Sequence, residues 1–315
     1  MQFGMDSLNS ISQMLLSRKL KYDDTIIIGD NSSGKSLFLR LLIEKKKEKD
    51  DIYFIDAVNR GFDVSKIVKV NTLPEYRNTI LSARIEEEYF NLKDSFNCYG
   101  TRTEKVEEIY YPLEVKLQDL FEKLTQERFR IIINGILGEV EFKEGKGLLS
   151  SGFQAMVRLL LELLYFQEKC VAEKHKERVT VIIDEMDEFL SPGYAYKIFP
   201  FIKKYFSQMD LIVTTHSSDL VLGAQNANLV VLDNLDYEVM DVNDYQSASE
   251  VQIIFDRVFG IHLSLPSEVE RELRRLLNNR INNAWTKKEQ LQLEKLQKEQ
   301  LTASQRLICR QIMEW

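Results

Sequence analysis

The sequence predicts an α/β fold built on a parallel sheet, and three stretches carry that expectation. Thr25–Ile28, Val179–Ile183 and Leu211–Thr214 are short apolar runs rich in β-branched residues and without alternation, the pattern of strands buried on both faces. The helical run Leu37–Ile43 follows the first within a few residues, as a strand–loop–helix unit requires. Each run also ends in residues able to carry chemistry, and in open α/β sheets ligands bind at those strand ends.

The first strand runs into Gly29-Asp30-Asn31-Ser32-Ser33-Gly34-Lys35-Ser36, which fits G-x-x-x-x-G-K-[ST]. Its glycines let the backbone curl so that N–H groups face a phosphate. Lys35 can reach the β- and γ-phosphates, and Ser36 can ligate Mg²⁺. Gly29, Asn31, Ser32, Ser33, Gly34, Lys35 and Ser36 are therefore the candidate binding residues for a nucleoside triphosphate. The alternative reading is a plain Gly/Ser turn between strand and helix.

The second run ends in Asp184-Glu185. A carboxylate at such a strand end is placed to hold the Mg²⁺ shell, and the next one to polarise an attacking water. Asp184 is the metal-side candidate and Glu185 the general base; otherwise the pair opens a solvated acidic turn with Asp187 and Glu188. The third run leads into His216, one of only three histidines. An imidazole there can bond a γ-phosphate or orient the water. A fourth element, Leu149-Ser150-Ser151-Gly152-Phe153-Gln154, precedes the apolar helix Ala155–Phe166. Ser150, Ser151 and Gly152 read either as an ordinary N-cap or as a second anion site. One phosphate-binding loop has no need of a second anion site within its own chain. A dimer that pairs the loop of one subunit with this turn of the other does.

In that order the motifs resemble an ABC-type ATPase head of the SMC, RecF and OLD-like branch, over roughly residues 20–235. Asn31 is typical of these heads. Leu149–Gln154 is similar to their L-S-G-G-[QE] signature, with Ser151 and Phe153 as departures. Asp184–Pro192 resembles the OLD-like D-E-P-E-x-x-L-H-P, with Met186 and Ser191 as departures. His216 matches the switch histidine, and Asn59 is the candidate for the Q-loop residue. The resemblance implies ATP and Mg²⁺ as ligands, ATP hydrolysis, and a homodimer closed around two ATP.

Composition bounds the rest. At 315 residues with formal net charge −7, the chain can bury a substantial core but is not built to coat DNA through bulk charge; local nucleic-acid contact stays open. Cys98, Cys170 and Cys309 are too widely spaced for a disulfide framework or a metal site. No leader or long apolar span appears, so a cytoplasmic protein with no membrane partner is expected.

Residues 1–262 read as the ATPase domain. Within them, 1–20 form an amphipathic helix in place of an adenine-reading hairpin, leaving Tyr22 to stack on a base. Residues 60–128 form a compact helical lid, with helices over Glu75–Leu92 and Leu113–Leu124 and a polar break at Asn97–Thr103. A strand pair, Phe129–Ile133 and Gly138–Phe142, follows. Residues 263–315 read as a helical extension with a stripe at Val269, Leu273, Leu276, Leu277 and Ile281, and capping boxes at Thr286 and Thr302. Those helices either fold back on their own head or dock another protein. No second acidic cluster suggests a nuclease, and His175, in a charged helical stretch, and His262 have no metal-binding company. The expected function is the ATPase subunit of an anti-phage defence or toxin complex, controlling a separately encoded effector such as a nuclease that docks on the C-terminal helices or the lid. A RecF-like repair ATPase is the alternative.

Overall fold

The computed structural model describes residues 2–46, 51–57, 60–75, 106–134, 137–143, 145–172, 175–233, 236–245, 247–259, 268–281, 285–298, 301 and 303–314. Asn59, the segments 76–92 and 97–103, His262, Thr302 and Trp315 lie outside them, and so does Cys98. The chain divides into two compact units, Met1–Phe259 and Gly260–Trp315.

The first unit is organised by a six-stranded sheet in the order β2-β6-β7-β1-β8-β9. Here β1 is Thr25–Gly29, β2 Ile52–Ile55, β6 Val179–Ile183, β7 Met209–Thr214, β8 Asn228–Asp233 and β9 Asp236–Asp241. The first five run parallel and β9 closes the edge antiparallel as a hairpin with β8. Register fixes the upper edge: Ile27 lies beside Thr214, Ile183 beside Val213, and Ile55 beside Ile183. The C-terminal ends of β2, β6, β7 and β1 therefore open side by side.

Alternate residues of these strands bury into different cores, as a pleat requires. Ile27, Phe54, Ile182, Ile212 and Val230 meet Leu8 and Ile11 of α1 (Gln2–Leu16) and Phe38, Leu39 and Leu42 of α2 (Lys35–Lys45). Ile26, Ile28, Tyr53, Val181, Leu211 and Val213 belong to the larger core. That core takes in α3 (Tyr110–Thr125), α4 (Ser151–Phe166), α5 (Pro192–Tyr205), α6 (Ser218–Gly223) and α7 (Ala248–Val258). A second small antiparallel sheet, β3 (Phe129–Asn134), β4 (Leu137–Phe142) and β5 (Gly145–Gly147), leads into α4.

Several sequence expectations shift here. Among the described residues the stretch after β2 is irregular, with short 3₁₀ turns at Val64–Lys66 and Val106–Ile109 ahead of α3. The expected helix Leu113–Leu124 lies within α3, and in the turns before it Glu107 accepts from Asp63 N and Asp63 from Ser65 N. Helix α4 begins four residues before Ala155, since Ser150 caps it by accepting from Phe153 N. His175 stands in a turn at φ 49° after the π-helical stretch Gln167–Ala172, not within a helix. The Tyr22 hydroxyl donates to Asp241 and accepts from Asn243, which ties that ring to the β8–β9 side.

The second unit has its own core. Helices α8 (Glu268–Ile281), α9 (Lys287–Leu296) and α10 (Ala303–Glu314) bury Leu273, Leu276, Leu293, Leu296, Cys309 and Ile312 together. The capping box at Thr286 forms as its sequence predicts, with the Glu289 carboxylate returning to the Thr286 N–H at 3.1 Å. Among the described residues no helix is long and apolar enough to cross a membrane.

Candidate nucleotide site

The loop from Gly29 to Ser36 leaves the end of β1, the strand at which chain order reverses across the sheet. Gly34 sits at φ 103° as the residue before α2, a conformation that only glycine adopts without strain. This turn aims the first N–H groups of the eleven-residue α2 at the loop's interior, where the helix dipole favours an anion. Asn31 and Ser32 are exposed at the rim, Asn31 with its N–H on Asp30 Oδ1 at 2.7 Å and Ser32 at φ 68°. The Ser33 hydroxyl is buried without a hydrogen-bond partner, and Ser36 is half-buried at the start of α2.

Lys35 is buried, and its ammonium donates to the carbonyls of Gly29 at 2.7 Å and Asp30 at 3.1 Å. Burial pulls its pKa down, while Asp184, Glu185 and Asp30 hold it up. The loop cation and the carboxylates after β6 thus feel one another across the sheet edge.

Those carboxylates are built into the sheet. Asp184 N donates to Ile55 O at 2.9 Å and Met186 N to Thr214 O at 3.0 Å, extending the β6 pairing past its end. Thr214 does double duty: its hydroxyl donates to Asp184 Oδ1 at 2.5 Å and accepts from Glu185 N at 2.7 Å. Burial raises the Asp184 pKa above the usual carboxylate range, against the lowering effect of the Thr214 hydroxyl. Glu185 stands at φ 48°, a conformation uncommon for a side chain of its size, and its carboxylate lies 3.6 Å from His216 Nε2. That contact lowers the Glu185 pKa against a smaller desolvation effect. The His216 ring also rests on Phe259 at 5.5 Å between centroids. Downstream, Asp187 is held by the Thr215 hydroxyl, and burial raises its pKa.

Ser150 and Ser151 are exposed and Gly152 half-buried at the first turn of α4. Phe153, a departure from the signature pattern, is a packing residue. Its ring meets Phe121 edge-on at 5.1 Å and lies within 6.5 Å of Phe142 and Tyr194. Gln154 bonds within the fold, donating to Leu149 O at 2.9 Å and accepting from Phe62 N at 3.4 Å.

The structure therefore brings Lys35, Asp184, Glu185 and His216 to one edge of one sheet. Sequence reasoning missed Thr214 and Arg60. Thr214 carried a usable signal, a hydroxyl at the end of a buried strand. Arg60 carried none: it stands alone in a loop, yet its Nη2 donates to Asp184 O at 2.6 Å.

Residues 71–223, which include the signature turn, Asp184-Glu185 and His216, match the family described as "AAA domain, putative AbiEii toxin, Type IV TA system". With the P-loop upstream and the parallel sheet beneath it, that match decides the likeness. The chain is similar to ABC-type ATPase heads. Its fold is that of the P-loop NTPases.

Solved structures with which it aligns include the SMC head domain from Thermotoga maritima, at 17% identity and TM-score 0.31 over 41% of this chain and 46% of that one. Another is the Pyrococcus furiosus Smc head with an extended coiled coil, bound to the C-terminal domain of ScpA, at 17% and 0.30 over 52% and 40%. A third is a putative metal-chelate type ABC transporter in an inward-facing conformation, at 15% and 0.36 over 75% and 79%. The chain spans under half the length of the two SMC heads. No curated protein matches it in sequence.

Proposed function

We propose that this protein binds and hydrolyses ATP, dimerises around two ATP molecules, and uses that closure as a switch on a separately encoded effector. The observation that carries the reading is the convergence of Lys35, Asp184, Glu185 and His216 at the ends of β1, β6 and β7.

The residues fit a nucleotide. A glycine-turned helix start, a buried ammonium and the unpartnered Ser33 hydroxyl make an anion cradle from this chain's own atoms. Lys35, Gly29, Asn31, Ser32, Ser33, Gly34 and the N-terminal amides of α2 would hold the phosphates. Ser36 and Asp184 would hold Mg²⁺, which binds through few protein ligands plus phosphate oxygens and would neutralise their charge. Glu185, its pKa held down by His216, is a carboxylate at neutral pH and would serve as the acceptor of the proton from the attacking water. His216 would hold that carboxylate on one side and support the γ-phosphate on the other. Ser150, Ser151 and Gly152, at the surface of α4, would complete the site of a second subunit. Two such sites closing together would convert binding energy into a dimer, and hydrolysis would release it.

The match to a family described through a putative toxin of a type IV toxin–antitoxin system supports a defence or toxin role. The three-helix second unit supplies a separate surface on which an effector would dock. The Glu185→Gln variant tests the core of the reading. It should bind ATP with wild-type affinity, lose about 10²- to 10⁴-fold in hydrolysis, and sediment as a dimer when ATP is present. Hydrolysis at the wild-type rate would remove Glu185 from the mechanism. Stimulation of the wild-type ATPase by DNA, without any protein partner, would instead favour a repair ATPase.

A further inference from the structure

Arg60 lies in the loop after β2 and is 3% exposed. Its Nη2 donates to the Asp184 carbonyl at 2.6 Å and reaches the Glu185 carbonyl at 3.4 Å. These two carbonyls flank the φ of Glu185, the uncommon left-handed torsion from which its carboxylate departs. Such a backbone persists only where its surroundings hold it.

A guanidinium in this position is not explained by stability. Burial lowers its pKa and the neighbouring Arg158 lowers it further, while Asp56, Glu162 and Asp184 raise it. Its Nε and Nη1 are buried without a hydrogen-bond partner. An apolar residue of similar volume is often no worse for a fold than a buried charge, so the charge at 60 calls for a role.

The loop that carries Arg60 is tethered to α4. Arg158 Nη1 donates to Gly61 O at 3.3 Å, and Phe62 N donates to Gln154 Oε1 at 3.4 Å. Arg158 is itself fixed by Glu162 at 3.0 Å, and Glu162 accepts from the Tyr53 hydroxyl at 2.8 Å. Both charges are buried, so the arrangement has little room to slide. One end of this chain of contacts is the helix whose first turn is Ser150–Gly152. The other end is the backbone of Asp184 and Glu185.

We propose that Arg60 is the positioning residue of the hydrolytic loop: carried by α4 through Gly61 and Phe62, it sets the backbone from which Glu185 projects, so that a shift of the α4 N-terminal turn reaches the Glu185 carboxylate of the same subunit. The inference rests on the reading of Glu185 as the base. A second subunit's nucleotide pressing on Ser150–Gly152 would then adjust hydrolysis within the subunit that contributes the turn.

The test uses the full chain with Mg²⁺ and ATP. Arg60→Lys keeps the charge but ends one heavy atom shorter in a tetrahedral ammonium, which does not reach the two carbonyls as Nη2 does. It should lower kcat by about 10- to 100-fold while KM and the calorimetric Kd for ATP stay within about 3-fold, since misplacement by an ångström acts on the chemical step. Should that buried change unfold the protein, Gln154→Ala removes the Phe62 tether from the α4 side. It should give a smaller fall of about 3- to 10-fold in kcat with the same unchanged KM. In a Glu185→Gln background neither change should lower the residual rate further, because both act through Glu185. If Glu185→Gln abolishes turnover while Arg60→Lys and Gln154→Ala both keep the wild-type kcat, Arg60 has no positioning role and the reading of the site stands. A rise in KM with kcat unchanged likewise overturns it, leaving Arg60 structural. Wild-type turnover by Glu185→Gln would bring down the site reading and this inference together.

Discussion

Gly152 packs so closely on Phe189 that a Cβ at 152 would stand 2.8 Å from the Phe189 carbonyl oxygen. The first turn of α4 and the loop after β6 are thereby in direct backbone contact, and Phe189 itself sits at φ 65°. A carbonyl cannot move aside as a flexible side chain can.

Gly152→Ala should therefore destabilise the first unit by about 1–3 kcal/mol through overpacking. A thermal melt should read this as a Tm lower by roughly 2–10 °C. Gly193, in the first turn of α5, is the matched comparison, because nothing lies within 4 Å of a Cβ there. Gly193→Ala should be neutral or stabilise by up to about 1 kcal/mol, as helix propensity dictates. Equal melting of the two variants would mean that the α4 turn and the β6 loop separate freely.

A second expectation concerns Thr214, fully buried between Asp184 and the Glu185 N–H. Thr214→Val keeps the shape and removes the hydroxyl, which takes this partner from the buried Asp184 carboxylate and the half-buried Glu185 N–H. The loss should be about 2–3 kcal/mol in urea unfolding, with unchanged m-value. Thr214→Ser restores the hydroxyl and should recover most of it. If valine is tolerated, Asp184 is not held by this bond.

How much of this was readable in advance follows from distance along the chain. Gly29–Ser36, Asp184-Glu185 and His216 were legible because each motif is contiguous and its position, just after a buried apolar run, is itself written in the sequence. The parallel core strands β1, β6 and β7 were legible for the same reason. The β8–β9 hairpin was not: β9 reads Asp-Tyr-Glu-Val-Met-Asp, an edge strand with charge on it and little apolar signal. Phe153 looked like a damaged signature residue, and only the meeting with Phe121, Phe142 and Tyr194 explains it. Arg60 is the extreme case. Its partners lie 124 and 125 residues away and are backbone carbonyls, which leave no trace in residue type.

The strap that follows Arg60 yields a prediction in pH. Asp63 caps the Val64–Lys66 turn, accepting from Ser65 N at 3.0 Å and Ser65 Oγ at 2.6 Å, with Lys66 at 2.9 Å. The Ser65 hydroxyl and Lys66 hold its pKa down at about 2. A carboxyl depressed in the folded state contributes stability that is present above its ordinary pKa and lost as pH falls through the folded value. Asp63→Asn should therefore cost a few tenths of a kcal/mol to about 1 kcal/mol near neutral pH, discounted because the side chain is 43% exposed. The difference between the two proteins should shrink as pH falls from 4 toward 2. A carbon-detected NMR titration that puts the Asp63 midpoint near 4 would refute the cap.

The last prediction separates the two units. Helices α8, α9 and α10 close a core from their own residues, Leu273 and Leu276 among them with no exposure. Every residue assigned to the nucleotide site lies within Met1–Phe259. A charge at 276 has no partner in that apolar core, so Leu276→Asp should unfold the second unit, at a cost of several kcal/mol. ATP binding measured on the full chain should stay at the wild-type value, and a 1–259 fragment should bind alike. If an effector docks on the helices, Leu276→Asp should abolish its capture while ATP turnover persists. If ATP binding fails in both the variant and the fragment, the helices belong to the head's own stability and a docking role for them is excluded.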